Sequence, residues 1–323
     1  MRNDEIQVRT PAKVNLILRV LDRRPDGYHN LWSLMQTVAL EDELCIRLDR
    51  SSAGLRVACD DPAIPTDGRN LVSRAALAVL ERAGLTGGRA VGLEMRIGKR
   101  IPSGGGLGGG SSDAAATIVG LNLLLGLGWS VKEMADLSQA VGSDVPFFFF
   151  APSALVRGRG EEVTPVVLTG ERWIVLVNPG FPIETGWAYG RLAGARTGVR
   201  PLSDRLTGLI AQPSLSWEEV IPLMENDFEE PLAPAHPALS ELKRELLGQG
   251  AQAALLSGSG ATVFGVFGDE PSAARACRLV GRVGGRRAYV ARTGGVVSPI
   301  VSGQPPLPLT GTGWPVSLPP SVG

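Results

Sequence analysis

The chain has 323 residues, an apolar fraction of 44%, a charged fraction of 20% and a formal net charge of zero. This length favours two domains, and the composition is that of a globular protein. The balanced charge excludes non-specific electrostatic binding to nucleic acid or to a membrane surface. The longest apolar run, near residues 118–127, is too short to span a bilayer.

The cysteines indicate a reducing compartment. Cys45, Cys59 and Cys277 are far apart and odd in number, which argues against a disulfide framework and against structural zinc. Two histidines are too few for a histidine-rich metal site. Because the N-terminal residues carry no hydrophobic signal region, we expect a cytoplasmic protein.

Residues 6–20 are predicted to form one or two strands, because apolar side chains recur at every second position from Val14 to Val20. This period places Lys13 and Asn15 side by side on one face. A lysine and an asparagine on a rigid strand could form a polar site. A solvated strand face explains them equally well at this stage.

The next feature is an exposed aromatic pair. The segment Pro25-Asp26-Gly27 is typical of a tight turn, and Tyr28 and His29 follow it. A planar ligand could stack on one of these rings and form a hydrogen bond with the other. Simple loop decoration is the alternative explanation.

Residues 70–84 are predicted to form a helix that Asn70 caps and Gly84 ends. The alternation in residues 91–97 predicts a half-buried strand. The strand leads directly into the glycine-rich segment on which the functional interpretation rests.

Residues 101–116 contain six glycines between Gly104 and Gly110, followed by Ser111 or Ser112 as the expected N-cap of an apolar helix. Glycines let backbone approach a ligand closely, and the first N–H groups of a helix attract anions. The order strand, glycine loop, helix therefore predicts a phosphate site. A flexible linker is the alternative, but linkers are rarely flanked so tightly by regular structure.

Two familiar phosphate loops fit this segment poorly. A Walker A loop requires a lysine after the glycines, and none is present. The dinucleotide fingerprint G-x-G-x-x-G matches at Gly104, Gly106 and Gly109, but a glycine-rich run nearly guarantees such a match. The acidic residue expected about 20 positions later falls in residues 130–133, where a capping box opens another helix.

That helix is predicted over residues 130–141, with Asp144 and then the aromatic run of residues 147–150 after it. The aromatic run is most simply core. Asp144 is either a turn cap or a carboxylate at the rim of an apolar pocket, where a general base belongs.

A second domain is expected from about Pro152. Strands are predicted at residues 173–177, 253–256, 261–267 and 287–291, with a helix at 272–280 and a small-residue turn at 257–260. The tail from residue 293 is rich in Pro, Gly and Ser, so we expect it to be disordered or loosely attached.

These features together resemble the GHMP kinases. Their phosphate loop, P-x-x-x-G-L-G-[SG]-[SG]-S-[SD]-A-A, is matched by Pro102, by 106–108, by 111–112 and by 114–115. Residues 11–16, 24–31 and 257–262 agree in the expected order, so the resemblance covers roughly residues 8–292. The segment containing Tyr28 and His29 narrows it to members that act on a cytidine diphosphate-linked alcohol.

The resemblance implies an α+β fold of two domains. Residues 1–152 would form the N-terminal GHMP domain, which is similar to domain 2 of ribosomal protein S5. Residues 153–292 would form a ferredoxin-like C-terminal domain, and residues 293–323 the tail.

The resemblance also implies an activity. ATP, with Mg²⁺, would phosphorylate the 2-hydroxyl of a diphosphocytidyl methylerythritol in the non-mevalonate pathway to isoprenoid precursors. The partner would be this small molecule, with no nucleic acid or membrane, and the protein would be a monomer or a homodimer.

The site residues that the resemblance implies fall into three groups. Asp144 and Lys13 would be catalytic. The acceptor would contact Asn15, Tyr28, His29 and Tyr189. The nucleotide would contact Asn70, Lys99, Pro102, Gly104, Gly105, Gly106, Leu107, Gly108, Gly109, Gly110, Ser111 and Ser112. A hydroxyl of Ser111 or Ser112 could bind Mg²⁺, whose other ligands stay open, and Asp113 should point away from the phosphates.

Three alternatives remain open from the sequence. A GHMP kinase acting on mevalonate or homoserine would keep the glycine loop without needing Tyr28 and His29. A nicotinamide-dependent oxidoreductase would use the weak dinucleotide match. A degenerate kinase fold that serves as a binding module would usually have lost Asp144, Lys13 or the loop, and all are present.

Overall fold

The structure is a computed structural model that describes residues 4–300, except 50, 52, 87–90 and 197. The strands in chain order are β1 Glu5–Arg23, β2 His29–Asp49, β3 Gly54–Cys59, β4 Gly92–Gly98, β5 Ser153–Gly158, β6 Glu162–Pro165, β7 Val167–Thr169, β8 Trp173–Asn178, β9 Ser214–Ser216, β10 Glu225–Asn226, β11 Ala253–Leu256, β12 Val263–Phe267, β13 Arg287–Arg292 and β14 Ser298–Ile300.

The helices in chain order are α1 Leu71–Arg82, α2 Gly109–Leu125, α3 Val131–Ser138, α4 Thr185–Ala195, α5 Asp204–Gly208, α6 Trp217–Val220, α7 Glu229–Leu232, α8 Pro237–Gly248 and α9 Glu270–Val280. Short 3₁₀ turns lie at Pro146–Phe149, Leu209–Ala211 and Ile221–Leu223. None of the helices in the described part of the chain is long and apolar enough to cross a membrane.

The larger sheet is organised around the long antiparallel pair β1 and β2. Its order is β10-β1-β2-β4-β3, and β2 pairs with β5 along its first half and with β4 along its second half. The β1–β2 pair contains three register shifts, the first between Pro11 and Ala12. Such irregularities bend a strand pair, and the two halves of β2 pair with different strands. The strand that carries Lys13 and Asn15 therefore runs through the centre of the molecule.

Helix α2 packs on this sheet, and its residues 112–122 are all buried. The sequence correctly predicts a helix here, but its predicted N-cap is wrong. The helix begins at Gly109 with Gly108 as N-cap in the left-handed conformation, so Ser111 and Ser112 lie inside the first turn. The Ser112 hydroxyl is instead buried and in hydrogen-bond contact with the Thr10 hydroxyl of β1.

Local capping signals elsewhere are confirmed. The Asn70 side chain accepts a hydrogen bond from the N–H of Val72 at the start of α1. Ser130 and Glu133 form the expected capping box of α3. Residues 147–149, from the aromatic run, are buried in the core beneath α2 and α3.

The second sheet has the ferredoxin-like arrangement that the resemblance implies. Its antiparallel order is β11-β12-β8-β13. Helix α8 lies between β8 and β11 in the chain and α9 between β12 and β13, which gives a β-α-β-β-α-β plan with the first strand central. Both helices pack their buried apolar residues on this sheet.

The division of the chain is less simple than two successive segments. Strands β5 and β6, which follow residue 152, belong to the larger sheet, and β10 and β14 return to it from much later positions. A short parallel pair, β7 with β9, forms a third sheet. The chain therefore crosses between the two main sheets several times.

The beginning of the C-terminal tail is not loosely attached, contrary to expectation. Strand β14 pairs antiparallel with residues 7–9 of β1, Gly294 donates to the Thr37 carbonyl, and Val297 is fully buried. Pairing with an edge strand overrides the Gly- and Pro-rich local composition. The remaining part of the predicted tail, residues 301–323, lies outside the described residues.

The two main sheets meet through the glycine loop. Ser257 Oγ donates to the carbonyl of Gly106 over 2.9 Å, and the N–H of Thr262 donates to the carbonyl of Gly105 over 3.2 Å. A Cβ on Gly106 would lie 2.0 Å from the Ser257 carbonyl oxygen. No side chain other than hydrogen fits at this contact.

The contact at Gly106 gives a testable prediction. Gly106 has a φ of +74°, and Gly128 has a similar φ of +69° with no atom within 4 Å of a built Cβ. Left-handed backbone alone costs an alanine about 1–2 kcal/mol, and overpacking adds roughly 1–3 kcal/mol. Gly128→Ala meets only the backbone cost, whereas Gly106→Ala meets both. We therefore expect Gly106→Ala to lower the free energy of unfolding, measured in urea, by roughly 1–3 kcal/mol more than Gly128→Ala does. Equal losses in the two variants would contradict the close backbone approach.

Candidate active site

Lys13 and Asp144, which are 131 positions apart in the chain, come together beside the glycine loop. The Lys13 Nζ lies 3.5 Å from Asp144 Oδ2 and 2.7 Å from Asn15 Oδ1. The Lys13 side chain is 4% exposed, whereas that of Asp144 is 32% exposed. The ammonium is thus buried, and the carboxylate is open to a ligand.

Asn15 orients this pair through a chain of hydrogen bonds. The predicted strand period does place Lys13 and Asn15 on one face of β1. The Asn15 Nδ2 donates to Ser33 Oγ over 2.9 Å, and Ser33 Oγ donates to the Ile17 carbonyl over 2.7 Å. The side-chain amide oxygen of Asn15, Oδ1, is thereby directed at the Lys13 ammonium.

The glycine loop uses its carbonyls for contacts within the protein. The carbonyl of Leu107 accepts from the N–H of Lys13 over 2.9 Å, and that of Gly108 accepts from Ser112 over 2.9 Å. Among the hydrogen bonds of the described residues, none is donated by a backbone N–H of residues 106–111. Free N–H groups at a helix start are the donors that a phosphate needs.

Lys13 also lies directly against this loop. A Cβ on Gly108 would lie 2.9 Å from Lys13 Cγ and 3.2 Å from the Phe148 ring. A Cβ on Gly258 would lie 3.4 Å from Lys13 Nζ. The ammonium therefore lies between the glycine loop and the 257–260 turn of the second sheet, as the small residues on both sides allow.

The other residues assigned to the nucleotide have different surroundings. Pro102, Gly105 and Leu107 are buried, Gly106, Gly108, Gly109 and Ser111 are half-buried, and Gly104 and Gly110 are exposed. Asn70 uses its amide group locally, because Nδ2 donates to the Pro65 carbonyl over 2.7 Å. Leu71, next in the chain, reaches within 3.7 Å of a Cβ built on Gly110, so α1 starts beside the loop. The nucleotide contacts of these residues stay predictions.

Lys99 lies in a buried cluster of charges rather than on the open side of the loop. Its ammonium contacts Asp42 Oδ2 and lies 2.8 Å from Asp113 Oδ2, with 7% of the side chain exposed. The Asp113 carboxylate is directed at Lys99, in agreement with the expectation that it avoids the open side of the loop. A nucleotide contact of Lys99 stays a prediction.

Two aromatic side chains expected at the acceptor site do come together. The rings of His29 and Tyr189 are stacked, with centroids 4.9 Å apart and planes 19° apart. The Tyr189 ring also packs edge-on against Phe228 at 4.9 Å. Tyr28 is 52% exposed and carries the Arg159 guanidinium 5.1 Å from its ring centroid.

The charge of Asp144 acts on this aromatic cluster. Burial raises the pKa of Tyr189, and the negative charge of Asp144 raises it further. Burial lowers the pKa of His29, as does the positive charge of Arg23. A neutral imidazole and a neutral phenol at neutral pH suit an uncharged planar group.

The sequence interpretation missed several residues that shape the site. The Asn226 Nδ2 donates to the carbonyls of Leu256 and Gly258 over 2.7 and 2.8 Å, which holds the 257–260 turn. A Cβ on Gly160 would lie 2.2 Å from the Ser143 carbonyl oxygen, so the β5–β6 turn packs against the residue before Asp144. The only signal of this contact in the sequence is the pair of glycines, Gly158 and Gly160, on either side of Arg159.

A metal site made of protein ligands alone is not present in the described residues. They contain no group of three or more His, Cys, Asp or Glu side chains that could hold an ion. Of the two serines proposed as ligands, Ser112 is fully buried against Thr10, whereas Ser111 is half-buried at the loop. Ser111 is the hydroxyl that remains available.

Comparison with known proteins gives the family. The sequence profile of the GHMP kinases N terminal domain matches residues 70–151, and that of the GHMP kinases C terminal domain matches residues 210–284. The 4-diphosphocytidyl-2-C-methyl-D-erythritol kinase of Geobacter sp. (strain M21) is 42% identical over 289 residues, which are 90% of this chain and 99% of that protein. The kinase of the same name from Desulfotalea psychrophila is 43% identical over 81% of this chain and 85% of its own.

Solved structures of known proteins support the same family. A crystal structure of 4-(cytidine 5'-diphospho)-2C-methyl-D-erythritol kinase is 33% identical, with a TM-score of 0.69 over 90% of this chain and 99% of that one. Homoserine kinase from Cytophaga hutchinsonii is 20% identical with a TM-score of 0.72 over 93% of this chain and 98% of its own, which shows the shared fold. Given both profiles and two relatives above 40% identity over 85% and 99% of their own length, the chain belongs to the 4-diphosphocytidyl-2-C-methyl-D-erythritol kinase family of GHMP kinases.

Proposed function

We propose that this protein transfers the γ-phosphoryl group of ATP to the 2-hydroxyl of 4-diphosphocytidyl-2-C-methyl-D-erythritol, giving the 2-phosphate and ADP. This reaction would be a step of the non-mevalonate route to isoprenoid precursors. The family membership and the geometry around Asp144 support the proposal.

One observation carries the proposal. A half-exposed carboxylate, Asp144, lies 3.5 Å from a buried ammonium, Lys13. That lysine packs against a loop in which the N–H groups of residues 106–111 have no acceptor among the described residues. Phosphoryl transfer needs little beyond positioning and charge stabilisation, and these are the parts required. An acid, a cation and an anion cradle meet at one point between two sheets.

Each of these residues has a distinct role in the proposed reaction. The Asp144 carboxylate accepts, or orients, the proton of the acceptor hydroxyl, a contribution of roughly 10²–10⁴-fold in rate. The Lys13 ammonium orients that carboxylate and stabilises negative charge on the transferred group. The N–H groups of residues 106–111 bind the β- and γ-phosphates.

Mg²⁺ fits the same site. In nucleotide sites this ion takes one or two protein oxygens and completes its shell with phosphate oxygens and water, so it needs no protein cage. The Ser111 hydroxyl is the protein oxygen we propose for it. When bound, the ion would neutralise phosphate charge.

We propose that the acceptor's cytosine lies at the aromatic cluster of Tyr28, His29 and Tyr189. The cluster offers ring faces for stacking, an imidazole for hydrogen bonding and, through the charge coupling of Tyr189 to Asp144, closeness to the catalytic pair. A mevalonate or homoserine acceptor has no planar base to fill these contacts. The aromatic cluster therefore favours the cytidine substrate over these alternatives.

The proposed acceptor and the cysteine thiols also indicate the cellular compartment of the protein. The proposed acceptor is a small water-soluble nucleotide derivative, and the three cysteines are all free thiols. Free thiols suit a reducing compartment. We therefore propose that the protein acts in the cytoplasm.

The direct test is ADP release from ATP and Mg²⁺ with and without 4-diphosphocytidyl-2-C-methylerythritol. We expect release to require this acceptor and to fall by about 10²–10⁴-fold in Asp144→Asn, because the amide cannot accept the proton. ATP affinity, measured by calorimetry, should stay near the wild-type value. Asp136→Asn, which changes an exposed partner of Lys132 in α3, is the matched control.

Two results would contradict separate parts of the proposed function. A near-normal kcat in Asp144→Asn would remove Asp144 from the chemistry. Release stimulated by mevalonate or homoserine, but not by the cytidine compound, would keep the kinase and replace the acceptor.

The aromatic cluster gives a separate prediction. Tyr28→Ala should raise the KM for the cytidine acceptor by the loss of base stacking, on the order of 1–3 kcal/mol, and leave the KM for ATP unchanged. Tyr28→Phe keeps the ring and should keep the acceptor KM. Equal losses for acceptor and ATP in Tyr28→Ala would place Tyr28 outside the cytosine site.

A further inference from the structure

A buried cluster of three charged side chains lies under the glycine loop. Asp42 comes from β2, Lys99 follows the last residue of β4, and Asp113 lies in α2. The Lys99 ammonium contacts Asp42 and lies 2.8 Å from Asp113 Oδ2. The exposed fractions of the three side chains are 0%, 7% and 4%, so the cluster is almost fully shielded from bulk solvent.

The cluster holds both ends of the loop. At the first end, Asp42 Oδ1 accepts from the N–H groups of Arg100 and Ile101 over 2.6 and 2.8 Å, just before Pro102. At the other end, Asp113 lies four residues beyond Gly109, the first residue of α2. Lys99 links the two carboxylates and therefore sets the separation of the loop ends.

Lys99 also lies directly beneath the start of α2. A Cβ on Gly109 would lie 3.2 Å from Lys99 Nζ and 3.0 Å from Ile101 Cγ2. The first turn of the helix, which supplies free N–H groups, thus rests on the Lys99 side chain. A change in that side chain would move the N–H groups relative to Lys13.

The electrostatics make the cluster dependent on its cation. Burial lowers the pKa of Lys99, but the two carboxylates outweigh this and raise it above its usual value. Asp113 Oδ1 has no hydrogen-bond partner among the described residues. Without Lys99, two acids would be buried together with no counter-charge.

We propose that Lys99, Asp42 and Asp113 form a positioning cluster for the phosphate loop, which fixes the distance between its two ends so that its free N–H groups converge on one phosphate. Lys99 acts through the loop backbone, not by contact with the nucleotide. The inference rests on the proposed function only in taking ATP as the ligand of the loop.

The test compares single and paired substitutions by their dissociation constants for ATP, measured by calorimetry on protein whose folding is checked by circular dichroism. Lys99→Met should weaken ATP binding by about 10- to 100-fold, because Asp42 and Asp113 then repel each other without their shared cation and the loop ends separate. Lys99→Met combined with Asp113→Asn should recover most of this loss, since the uncompensated charge is gone. A Lys99 that contacts ATP directly predicts no recovery in the double variant, which would overturn the proposal.

Controls separate positioning from general destabilisation. Lys132→Met removes the cation of an exposed pair with Asp136, and ATP binding should not change. In steady-state assays, Lys99→Met should raise the KM for ATP and leave the KM for the acceptor near the wild-type value. A parallel rise in both constants would indicate a loss of folded structure and would contradict the proposal.

Asp42→Asn tests the same idea if Lys99→Met fails to fold. Its single amide oxygen cannot replace a carboxylate that binds two N–H groups and an ammonium, so ATP binding should again weaken by about 10- to 100-fold. Unchanged ATP affinity in folded Asp42→Asn would overturn the proposal. Failure of wild-type protein to phosphorylate the cytidine acceptor, with normal ATP binding, would refute the proposed function alone.

Discussion

The contact between the backbone of the glycine loop and its two neighbours is the constraint on which the site depends. On one side, Gly106 meets the Ser257 carbonyl so closely that a Cβ would lie 2.0 Å from the oxygen. On the other, Gly108 meets the Lys13 side chain. The loop is thereby fixed between the central strand of the larger sheet and a turn of the ferredoxin-like sheet. Neither sheet could form the proposed phosphate site alone.

The same contact divides the polar groups of the loop between protein and ligand. Carbonyls of residues 105–108 accept bonds from Lys13, Ser112, Ser257 and Thr262, so the loop cannot easily rotate. The N–H groups of residues 106–111 donate to no acceptor among the described residues. Because the donors are held before a ligand arrives, binding of the proposed phosphate would require little ordering of the loop.

Charge is distributed around the loop in two clusters with different exposure. Lys13 with Asp144 is open on its carboxylate side, which suits a group that must meet a substrate. Lys99 with its two acids is sealed, which suits a group that shapes backbone. Buried charges are costly unless paired and hydrogen-bonded, so their geometry is narrowly defined. That property makes a buried cluster effective at setting the position of nearby main chain.

The sequence alone determined those features that depend on a few adjacent residues. These features involve interactions within about four positions of the chain. They are the caps at Asn70 and Ser130, the strand period that pairs Lys13 with Asn15, and the glycine loop before a helix. The family resemblance added the pairing of Lys13 with Asp144 and the ferredoxin-like plan, both of which the structure contains.

Only the tertiary structure decided what depends on distant residues. Ser112 does not cap α2 because its hydroxyl contacts Thr10, 102 positions away. The start of the tail is ordered because β14 finds an edge of β1, although its own composition favours irregular chain. Lys99 is enclosed because strand β2 delivers Asp42 to it. Local propensity carries no information on such partners, since they become neighbours only when the sheets form and exclude water.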